Sequence, residues 1–183
     1  AGFDKEDQIN YLKARDTRRV YLSHSADDGL TWTRPVEITT AVKRRDWGWY
    51  ATGPCNGIQL QRGPQRGRLL IPANHSTLTT STQVVTCSHV IFSDDHGKTW
   101  QMGGVEAEMT NESTAVELSD GSLLHNMRSY HKKNRRAVAR SRDAGLTWSS
   151  VALDDALIEP VCQGSILRCT WPENGNPSRI LFS

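Results

Sequence analysis

The sequence predicts an all-β fold, a β-propeller with about three blades in this chain, and three observations carry that prediction. The pattern Ser-x-Asp-x-Gly-x-Thr-Trp occurs three times, spaced 68 and then 48 residues apart. Short strand-like runs recur every 10 to 15 residues between clusters of Gly, Pro, Asn and Asp. No long segment combines a helical apolar period with N-cap chemistry. A repeated turn motif in an all-β chain points to four-stranded blades around an axis.

The repeats come first because they fix the architecture. They run Ser25-Ala-Asp27-Asp-Gly29-Leu-Thr31-Trp32, Ser93-Asp-Asp95-His-Gly97-Lys-Thr99-Trp100 and Ser141-Arg-Asp143-Ala-Gly145-Leu-Thr147-Trp148. Each reads as a tight turn between two strands. Gly29, Gly97 and Gly145 supply positive φ without a Cβ penalty. Asp27, Asp95 and Asp143 can fold their carboxylates onto backbone N–H groups of the turn. Trp32, Trp100 and Trp148 open the outgoing strands and are expected to pack beneath their own hairpins, each burial worth ~2–3 kcal/mol. A calcium loop is the competing interpretation. Such a loop alternates oxygen ligands along a longer segment, so a hairpin staple fits better.

The strands follow in order. Candidates are 19–23, 36–39, 57–61, 68–72, 87–93, 114–118, 122–128, 136–141, 149–153, 163–168 and 179–182. Hairpin turns fall at Ser119-Asp120-Gly121 and Gly63-Pro64-Gln65-Arg66-Gly67. Grouping them gives blades of roughly 1–46, 47–108 and 109–158, with another starting at 159–183, all within one domain. Three blades do not close a ring, and an open arc leaves unpaired edges. The chain is therefore expected to be part of a larger propeller. Its first residues, Ala-Gly-Phe-Asp-Lys-Glu-Asp, look like loop from within a protein.

Composition excludes several classes. Lys plus Arg is 22 and Asp plus Glu is 20, a net charge of +2, which gives no general case for nucleic acid. The basic run from Arg128 to Arg142 reads as a solvated hairpin. No run of ~18 apolar residues is present to form a membrane-spanning helix, and no signal peptide is visible at Ala1. Cys55, Cys87, Cys162 and Cys169 lack a paired spacing, so a zinc site is not expected and buried free thiols are. Neither a metal nor a cofactor is implied.

Chemistry is expected where loops other than the repeats gather. Trp47-Gly-Trp49-Tyr50, before Gly53-Pro54, suits stacking on a sugar ring or packing between blades. Glu112, in Thr110-Asn111-Glu112-Ser113-Thr114, is a candidate base or a solvated loop charge. Arg128 ends a strand paired with that of Glu112 across the Asp120-Gly121 turn. It is suited to clamp a carboxylate, or to pair with Glu112 itself.

These segments together resemble the sialidase (neuraminidase, exo-α-sialidase) family with its Asp-box, or BNR, repeats. The resemblance rests on the three boxes, Trp47 to Gly57, Arg68-Leu-Leu-Ile-Pro72-Ala, Asn111-Glu112, Asn126-Met-Arg128 and Val161-Cys162-Gln163-Gly164-Ser165. It implies a six-bladed propeller that removes terminal sialic acids from glycoproteins, glycolipids or oligosaccharides with retention, by a tyrosine nucleophile. On matching positions, Glu112 is the glutamate that activates the tyrosine and Arg128 the second arginine of a triad. Gln163 and Asn74 are implied as substrate-pocket residues, and Tyr50 is added as a substrate contact. The remaining arginines, the acid/base aspartate and the nucleophile are expected outside the chain, so the isolated segment is expected to be inactive. Cys55 stands where relatives carry glycine, which would strain the loop if positive φ is required there. Surface glycans as substrates incline the expected location to secreted or periplasmic. The alternative is a non-catalytic Asp-box propeller that binds carbohydrate or protein.

Overall fold

The computed structural model describes residues 18–78, 83–173 and 175–183. The expected loop at 1–7 and the start of the first blade lie outside the described residues. The elements are β1 (Tyr21–Leu22), β2 (Val36–Glu37), α1 (Thr39–Val42), β3 (Trp47–Thr52), β4 (Ile58–Gln59), β5 (Leu69–Leu78) and β6 (Val84–Ser93). They continue with β7 (Gln101–Glu108), β8 (Thr110–Glu117), β9 (Leu123–Ser129), β10 (Arg135–Ser141), β11 (Ala152–Ile158), β12 (Ile166–Thr170) and β13 (Arg179–Phe182).

These strands form four antiparallel sheets. Sheet A is β1-β2. Sheet B is β3-β5-β6-β7, with β4 also on β5. Sheet C is β8-β9-β10-β11, and sheet D is β12-β13. The fold is an open arc of a β-propeller. Its core lies in layers between successive sheets. Val20, Trp47, Tyr50, Ile91 and Trp100 fill one layer. Leu60, Leu70, Val90, Ala115 and Leu123 fill the next.

Two strands escaped the sequence reading. One is β3, whose Trp-Gly-Trp-Tyr looked like a binding loop. The other is β7, which carries the Gly103-Gly104 pair. Those glycines sit in a strand because the third box lies against them. A Cβ on Gly104 would fall 2.6 Å from Trp148 Cδ1, and one on Gly103 would fall 2.7 Å from the Gly145 carbonyl. Gly104 N–H donates to that carbonyl at 2.8 Å. Other limits shift as well. Ile38-Thr39 turns into a single helical turn rather than ending a strand, and the expected 68–72 strand runs on to Leu78.

The three boxes share one hydrogen-bond pattern. In the second, Asp95 Oδ1 accepts from Thr99 N (2.8 Å) and Ser93 Oγ (2.8 Å), and Oδ2 accepts from Thr99 Oγ1 (2.6 Å). Ser93 Oγ in turn accepts from Gly97 N at 2.8 Å. These donors hold the Asp27 and Asp95 carboxyls down to about 2, led by the hydroxyls of Thr31 and Thr99 respectively. Positive φ extends to the residue before each glycine, at Asp28 (57°), His96 (60°) and Ala144 (57°).

The rings differ, and the expectation that each packs under its own hairpin fails for Trp32. It is 65 % exposed, against 6 % for Trp100. Trp100 and Trp148 are covered by the adjoining sheet, and Trp32 is not. Trp100 lies in the layer between sheets A and B. The described residues hold no sheet on the outer side of sheet A. Trp32 only closes its turn, donating Nε1–H to Gly29 O at 3.2 Å.

Three other expectations are corrected. Arg136, read as part of a solvated basic hairpin, is 1 % exposed because Glu159 neutralises it in the interior. The cysteines are free, but Cys162 and Cys169 are exposed rather than buried, since one lies in a loop and the other on the solvent side of β12. Positive φ in the 53–57 loop falls on Gly53 (73°) and not on Cys55.

Candidate active site

The candidate site lies where sheet B meets sheet C, at the end of β8 remote from the third box. Glu112 and Ser141 stand at opposite ends of sheet C: Glu117 and Ser141 both align with Leu123, and Glu112 is five residues earlier. Five residues of strand span roughly 17 Å.

Local bonding places Glu112. The turn after β3 reaches across to β8, where Pro54 bridges Ser113 and Ser113 N–H donates to Gly53 O at 3.3 Å. From β6, Ser88 N–H donates to Thr110 Oγ1 at 2.8 Å. The β8–β9 register slips between Thr110 and Ser113, so β8 carries one extra residue at Asn111-Glu112. Such a bulge re-aims its side chains. Here it swings Glu112 towards Arg128 on β9, and Arg128 NH1 donates to Glu112 Oε2 at 2.8 Å.

Both members of that pair are about 30 % exposed, so the pair opens to solvent on one side. Burial works against the Arg128 charge. The hydrogen bond to Glu112, the adjacent Tyr130 and the Glu112 charge outweigh it and raise the guanidinium above its ordinary value. Arg128 Nε has no partner among the described residues. Asn111 Nδ2 donates to Tyr130 Oη at 2.9 Å, and the Arg128 guanidinium lies 5.2 Å from the centre of the Tyr130 ring.

A cavity of about 420 Å³ opens above this pair, lined by Glu112, Arg128, Asn111 and Tyr130 on one side and by Trp49, Pro54, Thr86 and Asn74 on the other. Asn74 is buried on β5. Its Oδ1 accepts from Trp49 Nε1 at 3.1 Å, which fixes the amide and leaves Nδ2 without a partner among the described residues. The wall thus offers one oriented amide donor, one guanidinium and one carboxylate on a mainly apolar lining. Among the described residues no three His, Cys, Asp or Glu side chains converge on a metal position.

Sequence reasoning named Glu112, Arg128 and Asn74, and the structure brings all three to one cavity. It separates the other two. Tyr50 points to the opposite face of β3, where it packs at 6.2 Å from Trp47 and lines the cleft towards sheet A. Strand alternation sends Trp49, not Tyr50, to the site. Gln163 is exposed outside the cavity and bonds to Cys55 Sγ and to Gly164 O. Trp49 was missed as a specific contact, because Trp47 and Tyr50, three residues apart, share the buried face only through a register slip between them that simple alternation does not reveal.

Beneath Arg128 lies a buried network that the sequence did not reveal. Arg136 on β10 donates from Nε to Asn126 Oδ1 (2.6 Å) and from NH1 to Glu159 Oε2 (2.9 Å) and Cys162 O (2.7 Å). Glu159 also accepts from Ser129 N–H through both oxygens, at 2.9 and 3.2 Å. Burial lowers the Arg136 guanidinium from its ordinary value, and the Glu159 charge offsets part of that.

Comparison with known proteins gives a consistent result. Residues 8–170 match the family model for the BNR repeat-like domain. The sialidase of Bacteroides fragilis (strain YCH46) is 33 % identical over 159 residues, covering 86 % of this chain and 28 % of the relative. The sialidase of Micromonospora viridifaciens is 36 % identical over 146 residues, covering 79 % and 22 %. The solved structure of the Hadza microbial sialidase Hz136 superposes with a TM-score of 0.74 at 30 % identity, covering 88 % of this chain and 30 % of that one. The chain spans only about a quarter of the length of the two curated relatives it matches here.

Proposed function

The chain belongs to the sialidase family with BNR repeats, and from that premise we propose that the whole protein is an exo-α-sialidase, a retaining glycoside hydrolase that removes terminal sialic acids from glycoconjugates. The observation that carries this is the Glu112–Arg128 pair at 2.8 Å, open to one cavity shared by sheets B and C.

Each group has a task in that reaction. Arg128 lines the cavity with a partly exposed side chain and a raised pKa, so it stays cationic and can hold a substrate carboxylate as a charge-assisted partner. Glu112 takes the proton of a tyrosine hydroxyl that attacks the anomeric carbon. A neutral nucleophile is chemically apt, because this carbon bears a carboxylate that repels an anionic attacker. Loss of the tyrosine proton to Glu112 supplies nucleophilicity only as the bond forms. Asn74, its amide locked by Trp49, donates one hydrogen bond to a sugar oxygen at the cavity wall. The nucleophile, the acid/base aspartate and the other arginines are assigned to parts of the protein outside these 183 residues.

The test is incubation of the full-length protein with a fluorogenic sialoside and with sialyllactose. Release of free sialic acid with kcat/KM of at least about 10⁴ M⁻¹s⁻¹ is expected. Binding of sialosides without release selects a non-catalytic binding propeller instead.

A further inference from the structure

We propose that the buried Arg136–Glu159 pair is a positioning device for Arg128, one that holds its strand from beneath and sets how its guanidinium meets the cavity. The inference deepens the sialidase reading and rests on it for the task of Arg128. Four contacts carry it. Arg136 grips Asn126, two residues before Arg128 and on the same face of β9. Glu159 grips the backbone N–H of Ser129, the residue immediately after Arg128. Arg136 and Glu159 then bind each other at 2.9 Å. The strand is therefore clamped on both sides of Arg128 by two charges of opposite sign, both 1 % exposed.

The fourth contact runs from Arg136 to the carbonyl of Cys162, in the segment that leads from sheet C towards sheet D. That segment holds Val161 at φ 59°, a left-handed conformation that a β-branched side chain resists. Glu159 and Cys162 flank it, and both are fixed by Arg136. The pair thus maintains a strained turn and the strand end of Arg128 together. A hydrophobic pair of similar volume would serve packing as well. What the ions add is direction, because each hydrogen bond ends on a particular group beside Arg128.

The test is a double-mutant cycle in the full-length protein, read by hydrolysis of a fluorogenic sialoside. With Arg128 in place, Glu159→Gln should lower kcat/KM about tenfold; with Arg128→Ala already present, the same change should cost less than about twofold. Equal losses in both cases would mark the pair as a brace of the fold and overturn the proposal. If Glu159→Gln does not fold because it strands the Arg136 charge, Arg136→Met combined with Glu159→Gln removes both charges and is held to the same criterion. A second readout needs no turnover. The Arg128 Nε–H resonance, assigned by its loss in Arg128→Ala, should shift and exchange with water at least about tenfold faster in the charge-free variant. An unchanged resonance overturns the proposal, whereas a wild-type protein that cleaves no sialoside overturns the sialidase reading alone.

Discussion

The two ends of sheet C hold charged side chains in opposite ways. At the repeat end, Asp143 takes its side-chain and backbone partners from residues two and four positions away, Ser141 and Thr147. At the cavity end, Arg128 meets Glu112 across 16 residues, and Arg136 meets Asn126 across 10 and Glu159 across 23. The repeat carboxylates exhaust their hydrogen bonds within their own turn. Among the described residues, the cavity end leaves the buried Arg128 Nε, Asn126 Nδ2 and Arg136 NH2 without partners. Locally closed bonding makes a staple, and long-range bonding brings side chains of several strands to one cavity.

The largest expected effect falls on the open end. Arg128→Ala in the full-length protein should lower kcat/KM for a sialoside by about 10²-fold or more, measured in steady state, because a desolvated charge pair with substrate is worth several kcal/mol. A comparable loss from Asp143→Ala at a temperature well below melting would erase the contrast.

Next come two changes at the junction of the boxes. Arg68, buried over the Phe92 ring, donates to both carboxylate oxygens of Asp94 at 2.8 Å and to Ala144 O at 2.9 Å. It therefore joins the second box to the third. Arg68→Met should cost about 2–3 kcal/mol in denaturant unfolding, since it removes charge-assisted bonds and orphans a carbonyl. Gly104→Ala should cost about 1–3 kcal/mol through collision with Trp148 and the Leu146 carbonyl. Both variants should bind sialosides normally once folded.

The smallest effect concerns acid. His75 and His89 share a buried contact between their Nδ1 atoms at 3.0 Å, beneath the stacked Trp47 ring. Burial holds His75 down to about 3 and His89 well below its ordinary 6.5. Both are neutral in the folded protein, while the unfolded chain takes up protons below 6.5. Their contribution to stability is complete above pH 6.5 and falls as pH drops from 6.5 towards 3. The Asp27 and Asp95 carboxyls, at about 2 against an ordinary 3.8, contribute fully above 3.8 and lose that contribution only between 3.8 and 2. Melting temperature followed from pH 7.5 to 3 should thus begin to fall in the histidine window, and His89→Gln should flatten that first part only.

The same contrast decides what was legible in the sequence. Repeats are readable because each of their partners is four residues away or fewer, so one window contains the whole device. Strand pairing of β8 with β9 was readable from the Asp120-Gly121 turn, and with it the meeting of Glu112 and Arg128. The bulge at Asn111-Glu112 was not, since register emerges only from the partner strand. Strand β7 went unread because the ring that demands its Gly103-Gly104 pair belongs to Trp148, 44 residues on. Arg136 misled for the same reason: its neutralising partner is Glu159, and no local pattern distinguishes it from the exposed basic residues beside it.

The most direct measurement sets one residue from each end side by side in the full-length protein: sialoside hydrolysis and melting temperature for Glu112→Gln and for Asp95→Ala. Glu112→Gln should lose about 10²- to 10⁴-fold in kcat with a melting temperature close to wild type. Asp95→Ala should lower the melting temperature and leave kcat nearly unchanged below it. Full activity in Glu112→Gln, or a loss of kcat in folded Asp95→Ala, would contradict the assignment of chemistry to the cavity end and of architecture to the repeats.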